Sequence, residues 1–237
     1  MIGIIVELII SSLLLWFIDK KDLSVLGFKP TIKRITDLGV GLVLAAACCI
    51  IYHLMSTAFA NNSWTINKQL TTQAIWAASW WTLKSVLFEE LIFRGALLYI
   101  AIGKFGVRIA CILSAVCFGV YHWFSHNSFG SPAQMTIIFF MTGIFGLMLA
   151  FAFGKTKSLY LPVGLHFGWN LFDIVVFSNG PLGQQILIRT NENQLDGLPS
   201  LLVFLFQVLA LPLLTLWYFR QVSKRLKPVA NKKRVPM

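Results

Sequence analysis

Long apolar runs recur along this chain of 237 residues, and they constrain its fold more than any other feature. A helix needs roughly 20 largely apolar residues to cross a hydrocarbon core of ~30 Å. Seven runs are candidates, at 2–18, 35–60, about 76–102, 107–124, 134–154, 159–178 and 200–219. They predict an all-α, polytopic membrane helix bundle of seven transmembrane helices. The count becomes eight if the third run, which carries charges in its middle, forms two short segments.

The connections between the runs are too short to hold a separate soluble domain. We therefore expect a single integral membrane domain over 1–237, with its chemistry concentrated in a core at about 80–178 and a basic tail at 220–237. The first run contains Glu7 and lacks a basic leader, so it is interpreted as a retained span rather than a signal peptide. All four cysteines lie inside apolar runs without CxxC spacing and are interpreted as packing residues.

The net charge of +11 is explained by where Lys and Arg lie in the sequence, and it does not require a nucleic-acid-binding surface. If the runs alternate across a membrane, sixteen Lys and Arg fall on one side and only Lys68 and Arg189 on the other. The positive-inside rule then predicts an N-terminus outside and a tail in the cytoplasm, in a bacterial plasma membrane. The tail is expected to meet anionic lipid head groups, and no nucleic-acid partner is predicted.

Ionisable side chains inside a bilayer cost roughly 2.5–3.5 kcal/mol each on insertion scales, so their presence suggests a function. The segment FEELIFRGALL places three of them on one helix. Glu90 and Arg94 are four residues apart and can pair on one face. Glu89 points about 100° away from Glu90, which leaves its carboxylate free to act as a general base.

Two later runs carry polar pairs at four-residue spacing, which places the members of each pair on one helix face. They are Phe118 with His122, and His166 with Asn170. Asp173 follows and could support the second pair from behind. Two histidines, a free glutamate and an amide on three helices can bind a water or a metal, deprotonate the water and stabilise an oxyanion.

The remaining polar residues in or near the runs have a structural interpretation, because a lone intramembrane His or Asn more often links helices. Taken alone, His53, His126, Glu7 and Lys84 are not predicted to be catalytic. His53 and Glu7 lie near span ends, where a side chain can reach the interface. His126 is four residues from His122 but falls in a loop-like segment.

Together, the three segments resemble the CPBP family of intramembrane endopeptidases, which includes CAAX proteases and bacteriocin-processing Abi proteins. That family carries EExxxR, FxxxH and HxxxN or HxxxD, in this order, on membrane helices. The resemblance covers roughly 80–178, and it implies six site residues. They are Glu89, Glu90, Arg94, His122, His166 and Asn170.

The resemblance also implies a role for each motif. Glu89, with His122, would activate a water, and His166 and Asn170 would stabilise the oxyanion of the tetrahedral intermediate. The ion pair of the first motif would hold its helix in shape. The implied substrate is a membrane-embedded or lipid-anchored peptide or protein, such as a CAAX protein or a bacteriocin-like leader.

Two alternatives remain for the cofactor: a divalent metal such as zinc, or no cofactor. The family is often described as metalloprotease, but the same set can act as a metal-independent glutamate protease. Glu89, His122 and His166 suffice in number as zinc ligands. A metalloprotease HExxH helix is absent from the sequence.

Two other functions compete with the peptidase. Buried Glu, His and Arg also mark the ion paths of transporters and proton relays, although the repeat symmetry common in transporters is not visible here. A membrane scaffold or immunity protein would use the same groups only to hold helices together. The predicted depths also disagree: charge placement puts Glu89 and His122 nearer the outer face, but His166 roughly 10 Å from the cytoplasmic side.

Overall fold

The computed structural model describes residues 2–177, 184–191 and 193–231. The α-helices in this part of the chain are α1 (Ile2–Asp19), α2 (Ile32–Phe59), α3 (Thr72–Arg94), α4 (Ala96–Ser125), α5 (Pro132–Thr156), α6 (Tyr160–Asn170) and α7 (Gly197–Asn231). A 3-10 helix at Leu23–Leu26, a π-helix at Leu171–Phe177, and the short strands β1 (Trp64–Ile66) and β2 (Leu187–Arg189) complete the elements of the described residues. The predicted all-α membrane bundle is confirmed.

Among the described residues, six helical stretches are long and apolar enough to cross a membrane, and one of them is the 54-residue stretch Thr72–Ser125. This stretch bends twice, at Gly95 (ψ −136) and at Gly106 (φ 75). A straight helix would separate Phe93 from Ser114 by about 32 Å. Instead, the Ser114 hydroxyl donates a hydrogen bond of 2.8 Å to the Phe93 carbonyl. The chain therefore reverses between them, and the expected interruption of the third run lies at Gly95.

Because the 54-residue stretch folds back on itself, the number of membrane crossings is expected to exceed six. The exact number, seven or eight, stays a prediction. The expected connection at 103–106 is present as a break at Gly106, and it is shorter than predicted. Residues on both sides of Gly106 are helical, and Gly106 alone has non-helical φ and ψ there. Its positive φ favours glycine, because a Cβ would strain this conformation.

Helices α2 and α6 touch through their backbones. A Cβ built on Gly164 would lie 2.3 Å from the Leu38 carbonyl oxygen, and one on Gly168 would lie 2.5 Å from that of Leu42. Small residues at four-residue spacing allow this approach in membrane helices. His166 lies between the two glycines, so the contact fixes the position of its helix against α2.

The connections gather at two ends of the bundle. At one end β1 pairs with β2 in antiparallel register. At the other end, the backbone amide of Leu159 donates to the Leu26 carbonyl at 3.2 Å. There the Tyr218 hydroxyl also donates to the Asp37 carboxylate at 3.1 Å, which ties α7 to the start of α2. The basic connections between α1 and α2 and between α5 and α6, which were predicted to share one side, therefore lie at the same end of the protein.

Candidate active site

A cavity of about 390 Å³ opens among α3, α4, α5, α6 and α7. Four of the predicted site residues line it, one from α3, one from α4 and two from α6. They are Glu89, His122, His166 and Asn170. The three motifs, which are far apart in sequence, therefore meet at one place.

Behind the cavity wall, Glu90 binds two partners through one oxygen. Arg94 Nη1 donates to Glu90 Oε1 at 3.1 Å, as the four-residue spacing predicts. His166 Nδ1 lies 2.8 Å from the same oxygen. Glu90 and Arg94 are completely buried, and His166 nearly so. A buried charge is tolerated when it is paired and hydrogen-bonded, and this network supplies both conditions.

Arg94 is also held by its aromatic and backbone surroundings. Its guanidinium carbon lies 4.2 Å from the centre of the Phe118 ring, within the range of a cation–π contact. Nη2 donates to the Gly146 carbonyl at 3.2 Å. A Cβ at Gly146 would come within 2.8 Å of Phe118 and 3.2 Å of Arg94. The missing side chain at this position therefore leaves room for the arginine.

Glu89 stays outside the ion pair, as the sequence predicts. Its Oε2 lies 3.8 Å from His166 Nε2, which is longer than a hydrogen bond. This oxygen is buried and accepts no hydrogen bond from any described residue. The side chain is 13% exposed, on the cavity side. The Ser85 side chain hydrogen-bonds to this carboxylate, and Glu89 therefore offers the cavity a carboxylate with one oxygen, Oε2, that has no hydrogen-bond partner among the described residues.

His122 is oriented by its own helix. Its Nδ1 lies 2.8 Å from the Phe118 carbonyl oxygen, and since a carbonyl can only accept, Nδ1 is the donor. A neutral ring then has its acceptor at Nε2. The Phe118 ring packs 4.4 Å from that of His122 and 6.0 Å from that of His166. The first residue of the FxxxH motif thus lies between the two histidines and the arginine.

The sequence placed Glu89 and His122 at a different membrane depth from His166, but in the structure the three side chains lie at one level of the bundle. Phe93 contacts Phe118 across the α3–α4 hairpin, with ring centres 5.0 Å apart. Because the two segments run in opposite directions, Glu89 and His122, each four residues away from that contact, come to one level. His166 shares this level, because its Nε2 lies 3.8 Å from Glu89 Oε2. The third helix ends at Arg94, earlier than the predicted end near 102, and the distance of this shared level from either membrane face stays a prediction.

The structure differs from the sequence interpretation at three residues outside the motifs. Asp173 was named as a residue that could support His166 and Asn170, but its Oδ1 lies 2.8 Å from His53 Nε2. His53 was expected to reach the interface, but it is buried on α2. His126, which was set aside, lines the cavity, with its ring 5.9 Å from that of His122. Its four-residue spacing from His122 was the signal that could have identified it.

The predicted metal set does not converge on one point. In the described parts of the chain, one trio has ligand atoms that all lie within 4.8 Å of one another, and it is Cys49, His53 and Asp173. Glu89, His122 and His166 do not form such a trio, and His166 Nδ1 already binds Glu90. This geometry does not fit a shared metal, and the metal role of these three residues stays a prediction.

Fold and cavity together define a polytopic membrane protein with a buried Glu–His–Arg site. Residues 71–172 match the family model of the Rce1-like proteins, described as type II CAAX prenyl endopeptidases. The match includes all three motifs and confirms the resemblance to the CPBP/CAAX protease family. No curated protein and no solved structure matches the chain.

Proposed function

We propose that this protein is an intramembrane endopeptidase that hydrolyses peptide bonds in membrane-embedded or lipid-anchored substrates. The observation that carries the proposal is the Glu89 carboxylate, whose Oε2 has no hydrogen-bond partner among the described residues and which lines a cavity shared with His122, His166 and Asn170. Peptide hydrolysis needs a base for the water and donors for the oxyanion, and this set contains both. The family match over 71–172 supports the same chemistry.

Water activation is assigned to Glu89 and His122. One hydrogen of the water is donated to the Glu89 carboxylate and the other to His122 Nε2, the acceptor that the Phe118 contact leaves free. Glu89 takes the first proton as the water oxygen attacks the peptide carbonyl carbon. Glu89 then returns this proton to the leaving amine. The glutamate therefore acts first as a base and then as an acid.

Oxyanion stabilisation is assigned to His166 and Asn170. Glu90 holds His166 by Nδ1, so that Nε2 faces Glu89. When the ring carries both protons, Nε2 donates to the oxyanion, and the Asn170 amide donates beside it. The separation of 3.8 Å between Glu89 Oε2 and His166 Nε2 allows both groups to reach oxygens on one tetrahedral carbon. No step requires a metal.

Cleavage itself is the first test. Purified protein in detergent is incubated with a peptide library that contains prenylated and unprenylated CAAX peptides, and products are identified by mass spectrometry. We expect new termini with wild-type protein and with Glu7→Gln, and none with Glu89→Gln. Glu7→Gln is a matched control, because it makes the same change on α1, away from the cavity.

One outcome would contradict the endopeptidase function, and another would contradict the metal-free mechanism. Wild-type protein that cleaves nothing, but moves ions across proteoliposomes in a Glu89-dependent manner, would favour a transporter. Cleavage that stops with chelator and returns with added zinc in both wild-type and Cys49→Ser protein would place a metal in the reaction.

We also propose that the N-terminus lies outside the membrane and the tail after Arg220 in the cytoplasm. The basic connections at one end of the bundle support this orientation through the positive-inside rule. A reporter that is active only in the cytoplasm should give a signal when fused to Met237. A silent fusion, together with an active periplasmic reporter at the same site, would refute the orientation.

A further inference from the structure

A second group of potential ligands lies beside the cavity, away from Glu89 and His166. Cys49 and His53 are four residues apart on α2 and face the same side of the helix. Asp173 approaches them from the π-helix that follows α6. One ligand atom from each lies within 4.8 Å of the others. These three residues have no role in the proposed hydrolysis.

His53 has a buried nitrogen that lacks a partner. Its Nε2 contacts Asp173, while Nδ1 has no hydrogen-bond partner among the described residues. The ring stacks on Phe177 at 4.5 Å and meets Tyr52 edge-on at 4.8 Å. The lone pairs of the two ring nitrogens point in different directions, so an ion shared with Asp173 would bind Nε2 in place of the proton of the present hydrogen bond, and Nδ1 would then carry the ring proton.

We propose that Cys49, His53 and Asp173 bind one divalent cation of the zinc class. Sulfur, imidazole nitrogen and carboxylate oxygen are all zinc ligands, whereas calcium and magnesium take oxygen ligands. The thiolate and the carboxylate balance the two charges of the ion, so that the occupied site is neutral inside the bundle. Binding releases the thiol proton to solvent.

The cavity gives the ion a route to this site. Cys49 and His53 are buried, but the Asp173 side chain is 34% exposed and lines the cavity. An ion therefore enters past the carboxylate. Three protein ligands leave one position of a tetrahedral zinc open, and a water from the cavity fills it.

The bound ion would link α2 to the segment that follows the third motif. Asn170 ends α6, and Asp173 lies in the next turn of the chain. A ligand bond at Asp173 would therefore hold the end of α6 against α2. In this role the ion is a positioning element for Asn170 and takes no part in water activation.

Metal binding is measured directly, without an activity assay. Full-length protein in detergent is reduced, stripped with chelator, loaded with Zn²⁺ or Co²⁺ and freed of unbound ion. We expect one zinc per chain by elemental analysis. The Co²⁺ form should show a thiolate-to-metal charge-transfer absorption, which requires a cysteine ligand.

The variants locate the ion. Cys49→Ser should lose the charge-transfer absorption and weaken binding at least about 10–100-fold, the range seen even for loss of a residue that only supports a ligand. Cys48→Ser is the matched control, because Cys48 is an adjacent buried cysteine on α2 that packs against α5 and α6. It should bind Zn²⁺ like wild type. If Cys49→Ser does not give a monodisperse protein, His53→Gln is used in its place.

The results that would contradict the proposed metal site can be told apart. A wild-type chain without stoichiometric zinc, or a folded Cys49→Ser protein that binds as well as wild type, would overturn the proposal. Loss of the ion in Glu89→Gln, with retention in Cys49→Ser, would place the metal at the other site. None of these outcomes depends on whether the protein cleaves peptides.

Discussion

Glu89→Ala and His122→Ala should each reduce peptide cleavage to the background rate, and the double variant should be no slower than either single variant. A general base contributes roughly 10²–10⁴-fold and one oxyanion donor about 10²–10³-fold. The two residues share one cavity, and in the proposed mechanism they act on the same water, so removal of the first already abolishes the concerted step. Members of such a unit are strongly non-additive.

Asn170→Ala should behave differently, because its amide is one of two oxyanion donors. A small residual rate is expected while His166 remains held by Glu90. Initial rates are measured for all variants at equal concentrations of folded protein, with Glu7→Ala as the control that should retain activity. Near wild-type cleavage by well-folded Glu89→Ala protein would show that the proposed mechanism is wrong.

Arg94→Ala should have the largest effect on stability. The substitution leaves Glu90 charged and completely buried, with His166 as its remaining partner. Breaking a buried ion pair by removing one member typically costs about 3–5 kcal/mol. The cation–π contact with Phe118 and the bond to the Gly146 carbonyl are lost at the same time. We therefore expect a much lower yield of folded protein in detergent.

Glu89→Gln is the matched comparison, since it removes a charge from the neighbouring residue but keeps a side chain of nearly the same shape. Glu89 Oε2 has no hydrogen-bond partner among the described residues, so the amide should be tolerated. Yield is measured by size-exclusion chromatography and stability by the midpoint of thermal unfolding. If Arg94→Ala and Glu89→Gln gave equal yields and midpoints, the ion pair would not be structural.

Local spacing predicted the parts of the site that depend on a single helix. The pairing of Glu90 with Arg94, and the separate direction of Glu89, follow from 3.6 residues per turn, and the structure has both. The contacts of Phe118 with His122 follow from the same period. The fold class was equally accessible, because hydrocarbon thickness fixes the length of each apolar run.

Contacts between distant segments could not be predicted in this way. His53 and Asp173 are 120 residues apart, and no local pattern links them. The level that Glu89 shares with His122 and His166 could not be predicted from the sequence either, because it depends on where the third helix ends. A glycine after Arg94 was visible in the sequence, but its backbone angles depend on the packing of the hairpin.

The close contact between α2 and α6 sets the time at which this protein can become active during synthesis. Gly164 and Gly168 lie against Leu38 and Leu42. During synthesis, α2 therefore lacks this packing partner until α6, more than a hundred residues later in the chain, has been made. His166 lies on that late partner and reaches Glu90 only after the two backbones have met. A nascent chain that ends before α6 therefore contains Glu89 and His122, the proposed water-activating residues, but lacks His166 and Asn170. If the proposed mechanism holds, a chain assembled in this order is inactive until α6 has been inserted.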